Sequence, residues 1–127
     1  MPVRVMLVDD QEMFVDAVRA LLAGDDRIEV IAATDNGAHA LELSEALAPD
    51  VALVDLDLPR MDGYETTRRL LADRPAMRVI VISGMTGDGI ADRAIGAGAS
   101  GFLFKGGLYG EIADAILDSG QPRQAFA

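Results

Sequence analysis

At 127 residues the chain holds one domain with a single core and no room for two. Its residues are 50% hydrophobic and 25% charged, which excludes a disordered composition, and no apolar run approaches the ~20 residues that a bilayer span needs. A formal net charge of −10 excludes duplex DNA as a direct ligand of this segment, because phosphate binding needs Lys and Arg, and the absence of cysteine excludes a disulfide framework or a thiolate metal site.

Along the chain, short apolar runs alternate with helical periodicities. Val3–Val8 reads as a first strand that runs into Asp9 and Asp10. Met1-Pro2-Val3-Arg4 enters it directly, with neither the apolar segment nor the cleavage site of a secretory signal, so the cytoplasm is the expected compartment. A first helix is expected over Gln11–Ala23, with Phe14, Val18, Leu21 and Leu22 on one face and Gly24-Asp25-Asp26 ending it. Asp9 and Glu12 have the spacing of a capping box at its start. Ile28–Ala33 reads as the second strand. Ala38–Leu47 reads as the second helix, with Ala40, Leu43 and Leu47 on one side and Pro49 as its stop. The third strand, Val51–Val54, runs into Asp55. The loop Leu58-Pro59-Arg60-Met61-Asp62-Gly63 leads to a helix that reaches about Asp73, with Asp62 and Glu65 spaced as a capping box. Arg78–Ser83 is the fourth strand. A fourth helix near Asp88–Ala97 is weakened by Gly84, Gly87, Gly89 and Gly96. Gly101–Phe104 is the fifth strand and runs into Lys105. Leu108–Leu117 is the fifth helix, with Leu108, Ile112, Ala115 and Ile116 on one face. Residues 1–118 are expected to form the domain, and residues 119–127, with Gly120, Gln121 and Pro122, a tail or the start of a linker.

This alternation is the signature of βα units. With right-handed crossovers, a (βα)5 doubly wound, flavodoxin-like parallel sheet of order 2-1-3-4-5 is one of the common solutions and is the expected fold. In such sheets ligands bind outside the carboxyl ends of the strands. Asp9, Asp10, Asp55, Ser83 and Lys105 all stand at strand ends, so they should converge on one edge. A carboxylate there can attack phosphorus and form an acyl phosphate. Catalysis of that transfer is mostly positioning and charge neutralisation. Mg²⁺ suits an oxygen-ligand site, with Asp9 and Asp10 beside Asp55; Lys105 offers a point charge and Ser83 a hydroxyl to phosphate oxygens. Singly, each residue has an ordinary reading as a helix cap, a turn residue or a surface side chain. Those readings do not predict four strand ends all carrying what one mechanism needs. His39, the single histidine, lies in the second helix and reads as an exposed helical residue.

With Val-Asp-Asp at 8–10, Val-Asp-Leu-Asp-Leu-Pro-Arg-Met-Asp-Gly at 54–63, Ser-Gly at 83–84 and Gly-Ala-Ser-Gly-Phe-Leu-Phe-Lys at 98–105, the chain resembles the receiver domain of two-component response regulators across residues 3–118. The last segment is most similar to the NarL/FixJ branch. The resemblance implies that Asp55 is the phosphoacceptor. Asp10 and Asp55 would bind Mg²⁺ by side chains, Asp57 by its backbone carbonyl and Asp9 through a metal-bound water. Ser83 and Lys105 would bind phosphoryl oxygens, and Ser83 and Phe102 would form the switch. It also implies a histidine kinase, or a small donor such as acetyl phosphate, as phosphodonor.

Three departures stand out. Gly106-Gly107 follows Lys105 where the family often has Pro, which predicts a looser loop. Phe102 lacks the hydroxyl of the common Tyr. Asp57 and Met85 occupy the positions that tune phosphoryl lifetime. A phosphorylation-dependent homodimer is expected through the helix 4–strand 5–helix 5 face, with Ile90, Ala94, Phe102 and Leu108, or through the helix 1–helix 5 face. DNA would be reached only through a downstream domain, which NarL/FixJ-type chains usually carry; the linker-like tail favours a fragment of such a regulator over a stand-alone receiver. Two rival readings are a degenerate receiver that acts only in protein interaction and a haloacid-dehalogenase-like phosphatase, whose Asp-x-Asp signature Asp55-Leu56-Asp57 mimics.

Overall fold

A computed structural model describes residues 1–85, 87, 89–107 and 110–118. The elements are β1 (Val3–Val8), α1 (Glu12–Ala23), β2 (Ile28–Thr34), α2 (Gly37–Leu47), β3 (Val51–Asp55), α3 (Gly63–Asp73), β4 (Arg78–Ser83), α4 (Ile90–Gly96), β5 (Gly101–Phe104) and α5 (Gly110–Asp118). The five strands form one parallel sheet of order β2-β1-β3-β4-β5, as the alternation predicts.

Strand alternation sends side chains to two cores. One face carries Met6, Val8, Ala52, Val54, Val79 and Val81, and packs against Ala40, Leu70 and Ala94 of α2, α3 and α4. The other carries Val5, Leu7, Val51, Leu53, Ile80 and Ile82, and packs against Val18 and Leu22 of α1 and Ile112 and Ile116 of α5. Both faces are covered, which is why β3 and β4 read as continuous apolar runs rather than alternating ones.

Several details differ from the sequence reading. Leu21 is 37% exposed, because the buried line of α1 runs through Phe14, Val15, Val18 and Leu22. The α4 helix is shorter than expected, starting at Ile90 after Gly89, whose φ of 84 ends the preceding loop. Ala94, expected on an exposed interaction face, is fully buried, and Ile90 and Phe102 are half-buried against the same core. The exposed apolar side chains near that face are Ile95 and Phe104. Leu108 and the tail 119–127 lie outside the described residues.

The sheet ladder does not stop where the strands end. Asp9 N–H donates to the Thr34 carbonyl (3.0 Å), Leu56 N–H to the Ile82 carbonyl (2.9 Å) and Lys105 N–H to the Ser83 carbonyl (2.8 Å). The main chain at these strand ends is therefore held in the frame of the neighbouring strand. The start of α3 closes on the same edge. Asp62 caps it, accepting from Glu65 N–H at 2.9 Å. The Glu65 carboxylate does not complete a reciprocal box and pairs instead with Arg68 and Arg69. Gly63 N–H donates to the Leu56 carbonyl at 3.1 Å. A methyl at Gly63 would overlap the Asp55 carbonyl oxygen and sit 2.6 Å from Leu56 Cα, so only glycine lets α3 approach β3 this closely. Replacing Gly63 by Ala is expected to cost on the order of 2–3 kcal/mol in chemical denaturation, as overpacking does, and to shift the amide resonances of Asp55 and Leu56. A stability unchanged within ~0.5 kcal/mol would show that the approach is not constrained.

Candidate functional site

Asp9, Asp10 and Asp55 each place a carboxylate oxygen within 4.8 Å of the others, at the carboxyl edge of the sheet. Asp9 and Asp55 are buried and Asp10 is exposed. Lys105 crosses from the end of β5 to reach them. Its ammonium lies 2.8 Å from Asp9 Oδ2 and 3.4 Å from Asp55 Oδ2, with its side chain 11% exposed. It also donates to Gln11 Oε1 at 2.5 Å and sits 4.6 Å from the centre of the Phe14 ring.

The two buried carboxylates are held differently. Asp9 is held by a short bond on each oxygen: Oδ1 accepts from Gln11 N–H at 2.8 Å and Oδ2 from Lys105. It does not cap α1, whose N-cap position is Gln11, so the Asp9–Glu12 box that the spacing allows is absent. Asp55 is held by long contacts, Oδ1 to Asp57 N–H at 3.3 Å and Oδ2 to Lys105 at 3.4 Å. Those distances exceed the usual range, so its lone pairs are weakly engaged. Burial pushes the Asp55 carboxyl up to about 6, and the neighbouring Asp9 carboxylate adds to this, while Lys105 and the Asp57 N–H pull it back.

The donor set suits Mg²⁺. It consists of hard oxygen ligands from carboxylates, with one exposed member to leave room for water. With the three acids ionised and Lys105 protonated, two negative charges are left uncompensated, the charge one divalent cation carries. The Asp57 side chain is exposed and does not join the carboxylate cluster.

Ser83 is fully buried at the end of β4. Its hydroxyl is turned onto its own loop, donating to the Met85 carbonyl and accepting from Met85 N–H, each at 3.0 Å. The Met85 side chain is exposed. Gly106 and Gly107 follow Lys105 in a hydrogen-bonded turn. Gly107 N–H donates to the Phe104 carbonyl at 2.9 Å, closing a turn, and the Phe104 ring lies where a Gly106 side chain would be. His39 is exposed, as expected, with Nδ1 2.8 Å from Thr34 Oγ1. It lies closer to the site than the sequence suggests, sharing an open groove with Asp9, Asp10, Gln11 and Glu12.

Sequence reasoning did not assign Gln11, Phe14 and Gly63 to the site. Gln11 and Phe14 were read as the beginning and core face of α1, and their contact with a residue at the end of β5 has no local signal. Gly63 stood in the recognised motif, but its closeness to the Asp55 main chain appears only once α3 is docked.

The sequence pattern of the response regulator receiver domain matches residues 5–117. The chain is 34% identical to response regulator GacA of Pseudomonas aeruginosa over 125 residues, which are 98% of this chain and 56% of that protein. It is 37% identical to a Mycobacterium tuberculosis transcriptional regulatory protein, NarL, over 125 residues, 98% of this chain and 58% of that one. The chain thus spans little more than half the length of these curated relatives. The solved signal receiver domain of the M. tuberculosis NarL superposes with a TM-score of 0.89 at 37% identity, covering 96% of this chain and 98% of that one.

Because its carboxyl titrates upward, Asp55 favours the folded state most when protonated. That contribution is complete below pH ~4 and is lost as pH rises through about 6. In chelator, Asp55→Asn is therefore expected to gain stability over the parent chain by on the order of 2–3 kcal/mol between pH 4 and pH 7, measured by urea denaturation. Excess Mg²⁺ should narrow the difference at pH 7. A difference that does not change with pH would mean that Asp55 is not strained by its surroundings.

Proposed function

The chain belongs to the response regulator receiver domain family, and from that premise we propose that it accepts a phosphoryl group on Asp55 in a Mg²⁺-dependent reaction and switches conformation in response. One observation carries this reading: a weakly engaged, buried carboxylate stands beside two further carboxylates and an ammonium at the carboxyl edge of the sheet. An Asp55 oxygen attacks phosphorus while the bond from phosphorus to the donor breaks, and the donor's imidazole or acetate leaves with the electron pair. Asp9, Asp10, Asp55 and the Asp57 carbonyl are the groups that would hold Mg²⁺, which when bound neutralises charge on the transferred oxygens. Lys105 then turns donors from Asp9 and Asp55 to a phosphoryl oxygen. Ser83 releases Met85 to reach another, and Phe102 repacks behind it.

The phosphodonor in this reading is a histidine kinase, with small donors as substitutes. The compartment is the cytoplasm; among the described residues no helix is long and apolar enough to cross a membrane. The output is a change in association or in the control of a downstream domain, of the kind the names of the transcriptional relatives suggest. The haloacid-dehalogenase-like phosphatase reading is set aside, because the family match spans residues 5–117 and the Asp55-Leu56-Asp57 run follows the third strand rather than the first.

Incubation with acetyl phosphate and Mg²⁺ should add one phosphoryl group by intact-mass spectrometry, and none in EDTA or in Asp55→Asn. Lys105→Ala should lower labelling at least tenfold, the loss of a charge-assisted contact of ~1.5–3 kcal/mol. Labelling of Asp55→Asn to the parent level would sink the assignment; no labelling of the parent would favour the degenerate receiver.

Beryllofluoride with Mg²⁺ should change the sedimentation coefficient if the switch controls self-association. Unchanged mass and shape would rule out the homodimer.

A further inference from the structure

Lys105 is the only lysine in the sequence; every other basic side chain is Arg. Its ammonium has three donors. Asp9 takes one at 2.8 Å and Gln11 another at 2.5 Å, while Asp55 stands off at 3.4 Å. Gln11 is also at the N-cap position of α1, where Ser, Thr, Asp or Asn would satisfy a free helix N–H. The Gln11 side chain makes no such bond. Its carboxamide is committed across 94 positions of sequence to Lys105. Helix stability does not account for Gln11 here, and contact with the ammonium does.

We propose that Gln11 is the positioning residue for Lys105: its neutral carboxamide tethers the ammonium at the mouth of the site while the carboxylates that share Lys105 are taken up by the divalent cation and the phosphoryl group. The inference rests on the phosphoacceptor reading above. Asp9 and Asp55 hold Lys105 in the resting arrangement, yet both are needed elsewhere in the loaded one. A neutral acceptor can keep the ammonium in place without cancelling the charge that must face the phosphoryl oxygens. The Phe14 ring, 4.6 Å away and three residues further along α1, bounds the same position from the apolar side. The tether also ties the end of β5 to the start of α1, beside the contacts of Lys105 with Asp9 and with the Phe14 ring.

The test is Gln11→Ser, which removes the tether and offers α1 a conventional cap. Selective ¹³Cε labelling of lysine gives one resonance, from Lys105, which reports its surroundings without any turnover. Thermal stability is expected to stay level or rise, and Mg²⁺ affinity to stay within about twofold. Beryllofluoride affinity in saturating Mg²⁺ is expected to fall about ten- to a hundredfold, as for the loss of one hydrogen bond to a charged group, with the Lys105 signal displaced in the resting protein. Unchanged beryllofluoride affinity in Gln11→Ser overturns the proposal. Equal losses of Mg²⁺ and beryllofluoride affinity overturn it too, since Gln11 would then act through the acidic cluster. Failure of the parent chain to bind beryllofluoride defeats the phosphoacceptor reading itself, a result distinguishable from either.

Discussion

One ammonium shared between two buried carboxylates is the contact on which the site depends. Lys105 is the single cation that reaches Asp9 and Asp55 among the described residues, and it does not approach them equally. It settles close to Asp9 and stands away from Asp55. Burying a charge without a close partner is costly, and the upward titration of Asp55 expresses that cost. The asymmetry separates two residues that composition alone would treat as equivalent. Asp9, with short bonds to both oxygens, is anchored in place. Asp55, with long contacts to both, keeps lone pairs free for a reaction.

A parallel sheet is what makes this arrangement reproducible. Its side chains come from β1, β3, β4 and β5 and are far apart in sequence, so no local motif could hold them together. The ladder bonds of Asp9, Leu56 and Lys105 carry the register one residue past each strand, placing the main chain before the side chains are considered. Gly63 then brings the start of α3 against the Asp55–Leu56 peptide from the outer side. The Asp55 backbone is thus fixed on two sides while its carboxylate is left loose. A nucleophile needs that combination, since positioning is where much of the rate of phosphoryl transfer originates.

The strand ends were legible in the sequence because a buried parallel strand writes itself as an unbroken apolar run, and the first polar residue after Val8, Val54 or Phe104 marks the edge. The same rule gave the convergence of the carboxylates, while the sheet order came from the βα alternation and the common doubly wound topology. Helix starts were less legible. Asp9 and Glu12 had the spacing of a capping box, but a carboxylate that can reach an ammonium gains more from it than from a helix N–H, so Asp9 left the cap vacant to Gln11. Leu21 had a core residue's identity at a helical spacing, yet the face that meets the sheet is set by Val15, Val18 and Leu22. Gly106 and Gly107 predicted slackness by composition. The structure shows a turn hydrogen bond from Gly107 to Phe104 and the Phe104 ring beside Gly106, local contacts that composition does not reveal.

In the proposed switch the resting position of Ser83 sets a threshold. Its hydroxyl makes two hydrogen bonds to Met85, and both must break before it can turn to a phosphoryl oxygen. Two neutral bonds of this kind oppose the turn by roughly 1–3 kcal/mol, so a charged group must be present before the turn is favourable. The cost falls on residues 83–85, at the head of the loop that leads into α4. Tyr64 of α3 faces that helix, its hydroxyl 3.4 Å from the Ile90 carbonyl and its ring 4.1 Å from the Arg93 guanidinium. Tyr64 directly follows Gly63, the residue pressed on the Asp55 peptide. So α4 is bounded by Ser83 on one side and by Tyr64 on the other, and both lead back to Asp55. That makes α4, rather than the more extensively packed α2 or α3, the element through which phosphorylation of Asp55 would be reported.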